Sequence, residues 1–193
     1  MLTKVVPAPR SVTGLTDTAS IERFERLVMP HLDAAHNLAR WLTRDPADAE
    51  DVTQEAMLRA LRFFDGFDGG EDARPWLLTI VRNTGLDWLR RNHPAALVGD
   101  GETVLERLET GEDDPERAAL RHDESRRVDR AVAALPLEFR EVIVLREFED
   151  LSYKEIAAIT GIPMGTVMSR LARARALLRR ILAPTMQELG HDL

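Results

Sequence analysis

Residues 151–170 read LSYKEIAAITGIPMGTVMSR, and this stretch decides the fold of the C-terminal half. Ile156, Ala157 and Ile159 recur at the spacing of a short helix. Gly161 follows, and a glycine enters positive φ without steric cost, so a tight turn is possible there. Ile162 plugs the corner, and Pro163, with its fixed φ, starts a second helix. Helix, tight turn, helix is the grammar of a helix-turn-helix. At 100° per residue, Val167, Leu171, Ala174 and Leu178 of the second helix fall within about 60° and form a buried stripe. Gly165, Thr166, Ser169, Ala172 and Arg173 occupy a separate arc of about 120°, with Arg170 at its margin. That face is small, polar and basic, and suits the major groove, where Arg and Ser/Thr reach base edges and phosphates. A solvated surface helix carries both signs of charge, whereas residues 164–182 hold five arginines and no acid.

Working outward, helical patterns cover 137–148, 152–160 and 164–183. Asp114-Pro115 is a cap-plus-proline start for a helix ending near Ala134, before Leu135-Pro136. Residues 95–127 hold ten acids and five bases and read as an acidic linker, with one short helix around Val104–Leu108. In the first half, Phe24, Leu27, Val28, Leu32, Ala35, Leu38, Ala39 and Leu42 keep helical spacing, broken at Pro30. Asp45-Pro46 caps and opens a helix running to about Phe64; 64–70 is a loop by its glycines and aspartates. Pro75 opens a helix that continues to about Asn92. No segment alternates with period two for long enough to be a strand. The expected fold is all-α: a flexible tail at 1–20, a helical domain at 21–94, the acidic linker at 95–127, a second helical domain at 128–183 ending in the helix-turn-helix, and a C-terminal tail at 184–193.

The chain has 193 residues and a net charge of −7, which taken alone argues against a nucleic-acid binder. The distribution matters more than the sum, because the excess acid sits in the linker and the arginines in the last helix. The absence of Cys excludes disulfides and thiolate chemistry. No run of about 18 apolar residues exists, and the first ten residues lack the apolar stretch of a signal peptide, so a cytoplasmic protein without membrane insertion is expected. His31 and His36 are five apart and do not share a helical face; His93, His122 and His191 are isolated. No Gly-x-Ser-x-Gly and no phosphate-binding Gly-Lys-Ser/Thr loop occurs. The expectation is a protein that is not an enzyme and holds no cofactor or metal.

Repressors, response regulators and initiation factors all use a helix-turn-helix, so the first half must discriminate. There Asp48, Asp51, Glu55, Arg59 and Arg62 share one helical face, and Val52, Ala56, Ala60 and Phe63 another. The stretch ADAEDVTQE at 47–55 with Leu58-Arg-Ala, the stretch RPWLLTIVRN at 74–83 with DWLRR at 87–91, and LPLEFREVIVL at 135–145 with LSYKEIA at 151–157 and GTVMSRLARAR at 165–175 come in a fixed order. In these three motifs the chain resembles the extracytoplasmic-function sigma factors, over about residues 21–94 and 128–182.

That resemblance implies roles. Sigma region 2 would span 21–94 and sigma region 4 would span 128–183. Asp48, Asp51, Gln54 and Glu55 would contact core RNA polymerase. The helix after Pro75 would face the −10 element through Thr79, Arg82, Asn83, Leu86 and Arg90, which share an arc of about 100°, and the loop from Phe67 to Ala73 would receive a flipped base. Trp76 and Trp88 could stack on bases but fit a core better. The −35 element would be read by Lys154, Thr166, Met168, Ser169, Arg170 and Arg173, with Met168 standing where many relatives carry Lys or Arg. The linker would run through the RNA exit channel, as an RNA mimic or as a plain tether. Implied partners are core polymerase, promoter DNA and an anti-sigma factor. Two other readings stand beside this one: a helix-turn-helix repressor or activator that binds duplex DNA alone, and a sigma-mimicking adaptor, which the arginine-rich helix disfavours.

Overall fold

The computed structural model describes residues 18–68, 70, 72–94 and 124–188. The expected short helix at Val104–Leu108, the Asp114-Pro115 start and most of the linker lie outside the described residues, as do most of the N-terminal tail and residues 189–193. Among the described residues every regular element is helical: α1 (Thr18–Val28), α2 (Leu32–Thr43), α3 (Pro46–Phe63), α4 (Arg74–Asn92), α5 (Glu124–Ala134), α6 (Leu137–Ile143), α7 (Tyr153–Thr160) and α8 (Met164–Glu188).

Local signals account for most boundaries. Pro30 lies in a 3-10 turn, Met29–His31, that separates α1 from α2. A proline there lacks an amide donor and disrupts the preceding turn. The Asp45 carboxylate accepts the amide N–H groups of Ala47 (2.9 Å) and Asp48 (3.1 Å), capping α3. Helix α1 starts three residues before Ile21 and α8 runs past 183 to Glu188. Neither end carries the apolar periodicity that would mark it in sequence. The pattern at 137–148 is one helix only in part, because a π turn spans Val144–Phe148. The widened turn leaves Glu149 buried and Phe148 41% exposed.

Helices α2, α3 and α4 pack mutually. Ala49, Ala56 and Ala60 of α3 are fully buried, and so small a stripe lets the neighbouring helices come close. Gly85 makes the closest approach: a Cβ there would sit 2.9 Å from Leu42 Cδ1. Phe24, Phe64, Phe67 and Trp76 close one end of this core, with ring centroids 5.1 Å apart for Phe24–Phe64 and 5.0 Å for Phe67–Trp76. Trp76 thus packs in the core, and Trp88 is half-buried with its ring 5.2 Å from that of His93. In the second half, Phe139, Val142, Leu145, Ile156 and Ile159 meet the stripe Val167, Leu171 and Ala174 of α8, with Leu178 partly buried against it.

The helix-turn-helix has the expected grammar. Gly161 ends α7 at φ 71°, its N–H bonded to the Ala157 carbonyl. Ser152 and Glu155 form a capping box at the other end: the Ser152 hydroxyl accepts the Glu155 N–H at 3.3 Å, and the Glu155 carboxylate accepts the Ser152 N–H at 2.7 Å. The hydrogen bonds from the Ser152 side chain and backbone hold the Glu155 carboxyl below the ordinary glutamate range. A depressed carboxyl pKa contributes stability at neutral pH that is lost as pH falls through the folded value. Ser152→Ala is therefore expected to cost about 1 kcal/mol near neutral pH. In urea titrations at several pH values, the difference from wild type should shrink once Glu155 is protonated; an equal difference throughout would show that the box is uncoupled from titration.

The two halves touch. Helix α4 packs on α7 and α2 on α6, and one apolar cluster runs through both.

Candidate functional site

The acidic face of α3 is open. Asp51 and Gln54 are exposed, while Asp48 and Glu55 are half-buried. Burial, followed by the nearby charge of Asp45, pushes the Asp48 carboxyl up from its ordinary value. The Asp45, Asp48 and Asp51 carboxylates therefore crowd like charge at the start of the helix, a situation that a cationic partner would relieve. Leu58 (50%) and Leu61 (38%) are exposed on the same helix. Leu58 falls between Gln54 and Arg62 on the helical wheel, so an apolar contact sits inside the polar face. The signal for it is an apolar residue at the edge of the charged arc, between Gln54 and Asp51 on the wheel.

Helix α4 carries the residues assigned to the −10 element, in differing states. Asn83 and Arg90 are exposed; Thr79 and Leu86 are half-buried. The Thr79 hydroxyl donates back to the Pro75 carbonyl at 2.8 Å. Arg90 pairs with Asp87 at 2.7 Å, Asp87 with Arg59 at 3.4 Å, and Arg59 with Glu55 at 2.8 Å. This chain of charges ties the acidic face of α3 to α4, and the Glu55 and Asp87 contacts raise the Arg59 pKa despite its partial burial. Phe67 is only 6% exposed. Its ring stacks on Phe64 and lies tilted against Trp76, and its carbonyl accepts from Arg23 at 3.3 Å. The ring thus belongs to the core, and a base could meet only the backbone and the loop beyond it.

Arg82 points into the other half of the molecule. Its Nε and Nη2 donate to Glu141 of α6 at 2.9 and 3.4 Å. Arg170 of α8 reaches the same carboxylate at 3.4 Å and Glu138 at 2.8 Å. Glu141 is 3% exposed, so one buried carboxylate neutralises an arginine assigned to each DNA element. Glu149, 5% exposed, plays a parallel part for Arg74 and for Asn37, whose amide donates at 2.6 Å. Arg44 and Arg140 both donate to the Ala133 carbonyl, at 3.1 and 2.8 Å. That carbonyl lies in the last turn of α5, where the helix dipole favours cations. Burial, and then the charge of Arg44, lower the Arg140 pKa to about 9. Trp41 meets Phe148 with centroids 5.2 Å apart. Among the described residues, the buried Trp41 Nε1 and Arg140 Nε have no hydrogen-bond partner. The contact between the halves thus combines an apolar cluster with buried ion pairs.

The exposed face of α8 carries Met164, Gly165, Met168, Ser169, Ala172 and Arg173. Thr166 is half-buried, and its carbonyl accepts the Ser169 hydroxyl at 3.0 Å. Lys154 is exposed on α7. Arg170 is half-buried on its two glutamates, at the edge of the face rather than in it.

Two family models match the chain: Sigma-70 region 2 over residues 27–94 and Sigma-70, region 4 over residues 125–178. An ECF RNA polymerase sigma factor, SigE of Mycolicibacterium smegmatis, is 36% identical, covering 91% of this chain and 68% of that protein. The ECF RNA polymerase sigma-E factor of Escherichia coli is 34% identical over 90% of this chain and 97% of that protein. The sigma factor RpoE of Bartonella quintana, solved with the anti-sigma factor NepR, aligns with a TM-score of 0.64 at 26% identity, over 84% of this chain and 98% of that one. CnrH, solved with the cytosolic domain of CnrY, aligns with a TM-score of 0.60 at 27% identity, over 86% and 95%. Among the described residues no helix is long and apolar enough to cross a membrane.

Proposed function

Because this chain belongs to the extracytoplasmic-function sigma-factor family, which directs RNA polymerase to promoters and initiates transcription, we propose that its three exposed helix faces divide that task. It acts as an initiation factor and not as an enzyme: binding energy, with no bond made or broken by this chain, brings the polymerase to the promoter and holds the opened strand. Asp48, Asp51, Gln54 and Glu55 of α3 meet core polymerase, with Leu58 as an apolar contact inside the charged face. Asn83, Arg82, Arg90, Thr79 and Leu86 of α4 face the −10 element, where an amide can read a base edge and the arginines can hold phosphates. Lys154, Thr166, Met168, Ser169 and Arg173 face the −35 element, and Arg170 braces α8 from behind. The protein works where the polymerase is, in the cytoplasm. The sigma factor solved with the anti-sigma factor NepR supports an anti-sigma partner for this chain.

The observation that carries the reading is an open, acid-free recognition face on α8 in the same chain as an open acidic face on α3. The −35 and −10 elements are roughly 25 base pairs apart, on the order of 85 Å at about 3.4 Å per pair. The two halves cannot read both while Arg82 stays on Glu141, so promoter binding requires the halves to part.

The test is in-vitro transcription of fragmented host genomic DNA by purified core polymerase, with and without this protein. New transcripts with defined starts are expected only with it, and aligning the DNA upstream should expose two elements. Arg173→Ala should reduce these transcripts about ten-fold, the worth of one base-edge or phosphate arginine. A protein that shifts duplex DNA alone, yields no transcript and does not bind core polymerase would instead be a repressor or activator.

A further inference from the structure

Met164 and Met168 are 52% and 51% exposed. Both lie in the first two turns of α8, where a recognition helix meets base edges. On the helical wheel Met164, Met168 and Ala172 span about 80°, directly beside the arc of Ser169 and Arg173. The open face of α8 is therefore divided lengthwise, one strip apolar and small, the other polar and basic. Large side chains are otherwise kept off the apolar strip: Gly165 has nothing within 4 Å of where its Cβ would be, so the backbone can lie deep against a partner.

A thioether has no donor and is a weak acceptor, so these two residues cannot discriminate guanine, cytosine or adenine by hydrogen bonding. The one apolar group in the major groove is the C5-methyl of thymine. Methionine is flexible and polarizable and fits such a group without demanding one geometry. We propose that Met164 and Met168 are specificity residues that read thymine methyl groups in the −35 element. This rests on the −35 reading above and adds the base feature that is recognised. Four residues of helix rise about 6 Å and base pairs stack about 3.4 Å apart, so the two methyls lie about two base steps from each other, on either strand. Arg173 and Ser169 take the polar edges alongside.

The experiment uses holoenzyme reconstituted from core polymerase and the full chain, on a promoter found by the transcription assay. Each −35 thymine is replaced singly by deoxyuridine, which removes the methyl and leaves base pairing intact. Wild-type binding should fall about three- to five-fold, the worth of one buried methyl-sized group, at one or two positions about two steps apart. Met168→Ala should abolish the sensitivity at one of them and Met164→Ala at the other, while both variants keep the thermal stability of wild type because the side chains are exposed. If every deoxyuridine promoter binds within two-fold of the parent while the −35 region is still protected and Arg173→Ala still weakens binding, the methionines do not read thymine methyls and the proposal is overturned. If the −35 region is unprotected and Arg173→Ala is silent, the −35 reading itself has failed.

Discussion

Glu141→Gln is expected to destabilise the protein by about 2–4 kcal/mol and to let its two halves part. Removing one partner of a buried ion pair costs about 3–5 kcal/mol, because the other charge is left without compensation. Here the figure is reduced, since Arg82 and Arg170 keep 15% and 23% of their side-chain exposure and Arg170 retains Glu138 at 2.8 Å. The loss should fall mainly on Arg82, whose only ion pair is with Glu141 among the described residues. Arg82→Met in the Glu141→Gln background should restore most of the stability, because an apolar pair avoids the stranded charge. Urea unfolding of the wild type, both single variants and the double variant gives the coupling energy directly. The chain has no cysteine, so dyes on cysteines introduced at the exposed positions Arg62 and Ala172 would report the separation of α3 and α8. Unchanged stability and unchanged dye separation in Glu141→Gln would show that this carboxylate does not hold the halves together.

Asp51→Lys is expected to weaken binding to core polymerase by about 30-fold or more, the effect of placing a like charge where a charge pair was formed. Asp51 is exposed and makes no described contact that folding requires, so its own unfolding free energy should move by no more than about 0.5 kcal/mol. Glu25→Lys, an exposed acid on α1 with the same change of charge, is the control and should bind as wild type. The loss should shrink at high salt, where exposed charges are screened. Equal binding by both variants, measured by displacement of labelled wild-type protein from core polymerase, would remove the acidic face of α3 from the interface.

The two expectations differ in how they could have been found. Asp51 is legible in one dimension: its arc, its cap at Asp45 and its buried stripe are set within a few residues along one helix. The same holds for the break at Pro30, the capping box at Ser152, the turn at Gly161 and the stripe Val167–Leu171–Ala174. Each depends on contacts no more than about four residues apart, the reach of helical periodicity and capping. The family motifs in their order added the likeness to two sigma regions, from which the roles proposed for the faces follow.

The partner of Arg82 could not be read that way. Its carboxylate lies 59 residues further along the chain, beyond the linker, and nothing in the local pattern of α4 distinguishes an arginine that faces DNA from one that faces another helix. Phe67 is a similar case, since a loop phenylalanine beside glycines reads as exposed until Phe24, Phe64 and Trp76 are seen to enclose it. On the wheel Met164 lies at the margin of the buried stripe, yet at the first turn of α8 it is exposed. The sequence by itself determined where the helices are, how they are capped and which family they build. Only the tertiary structure decided which charged and apolar side chains remain free for a partner, because exposure depends on what packs opposite, and that is settled by residues far away along the chain.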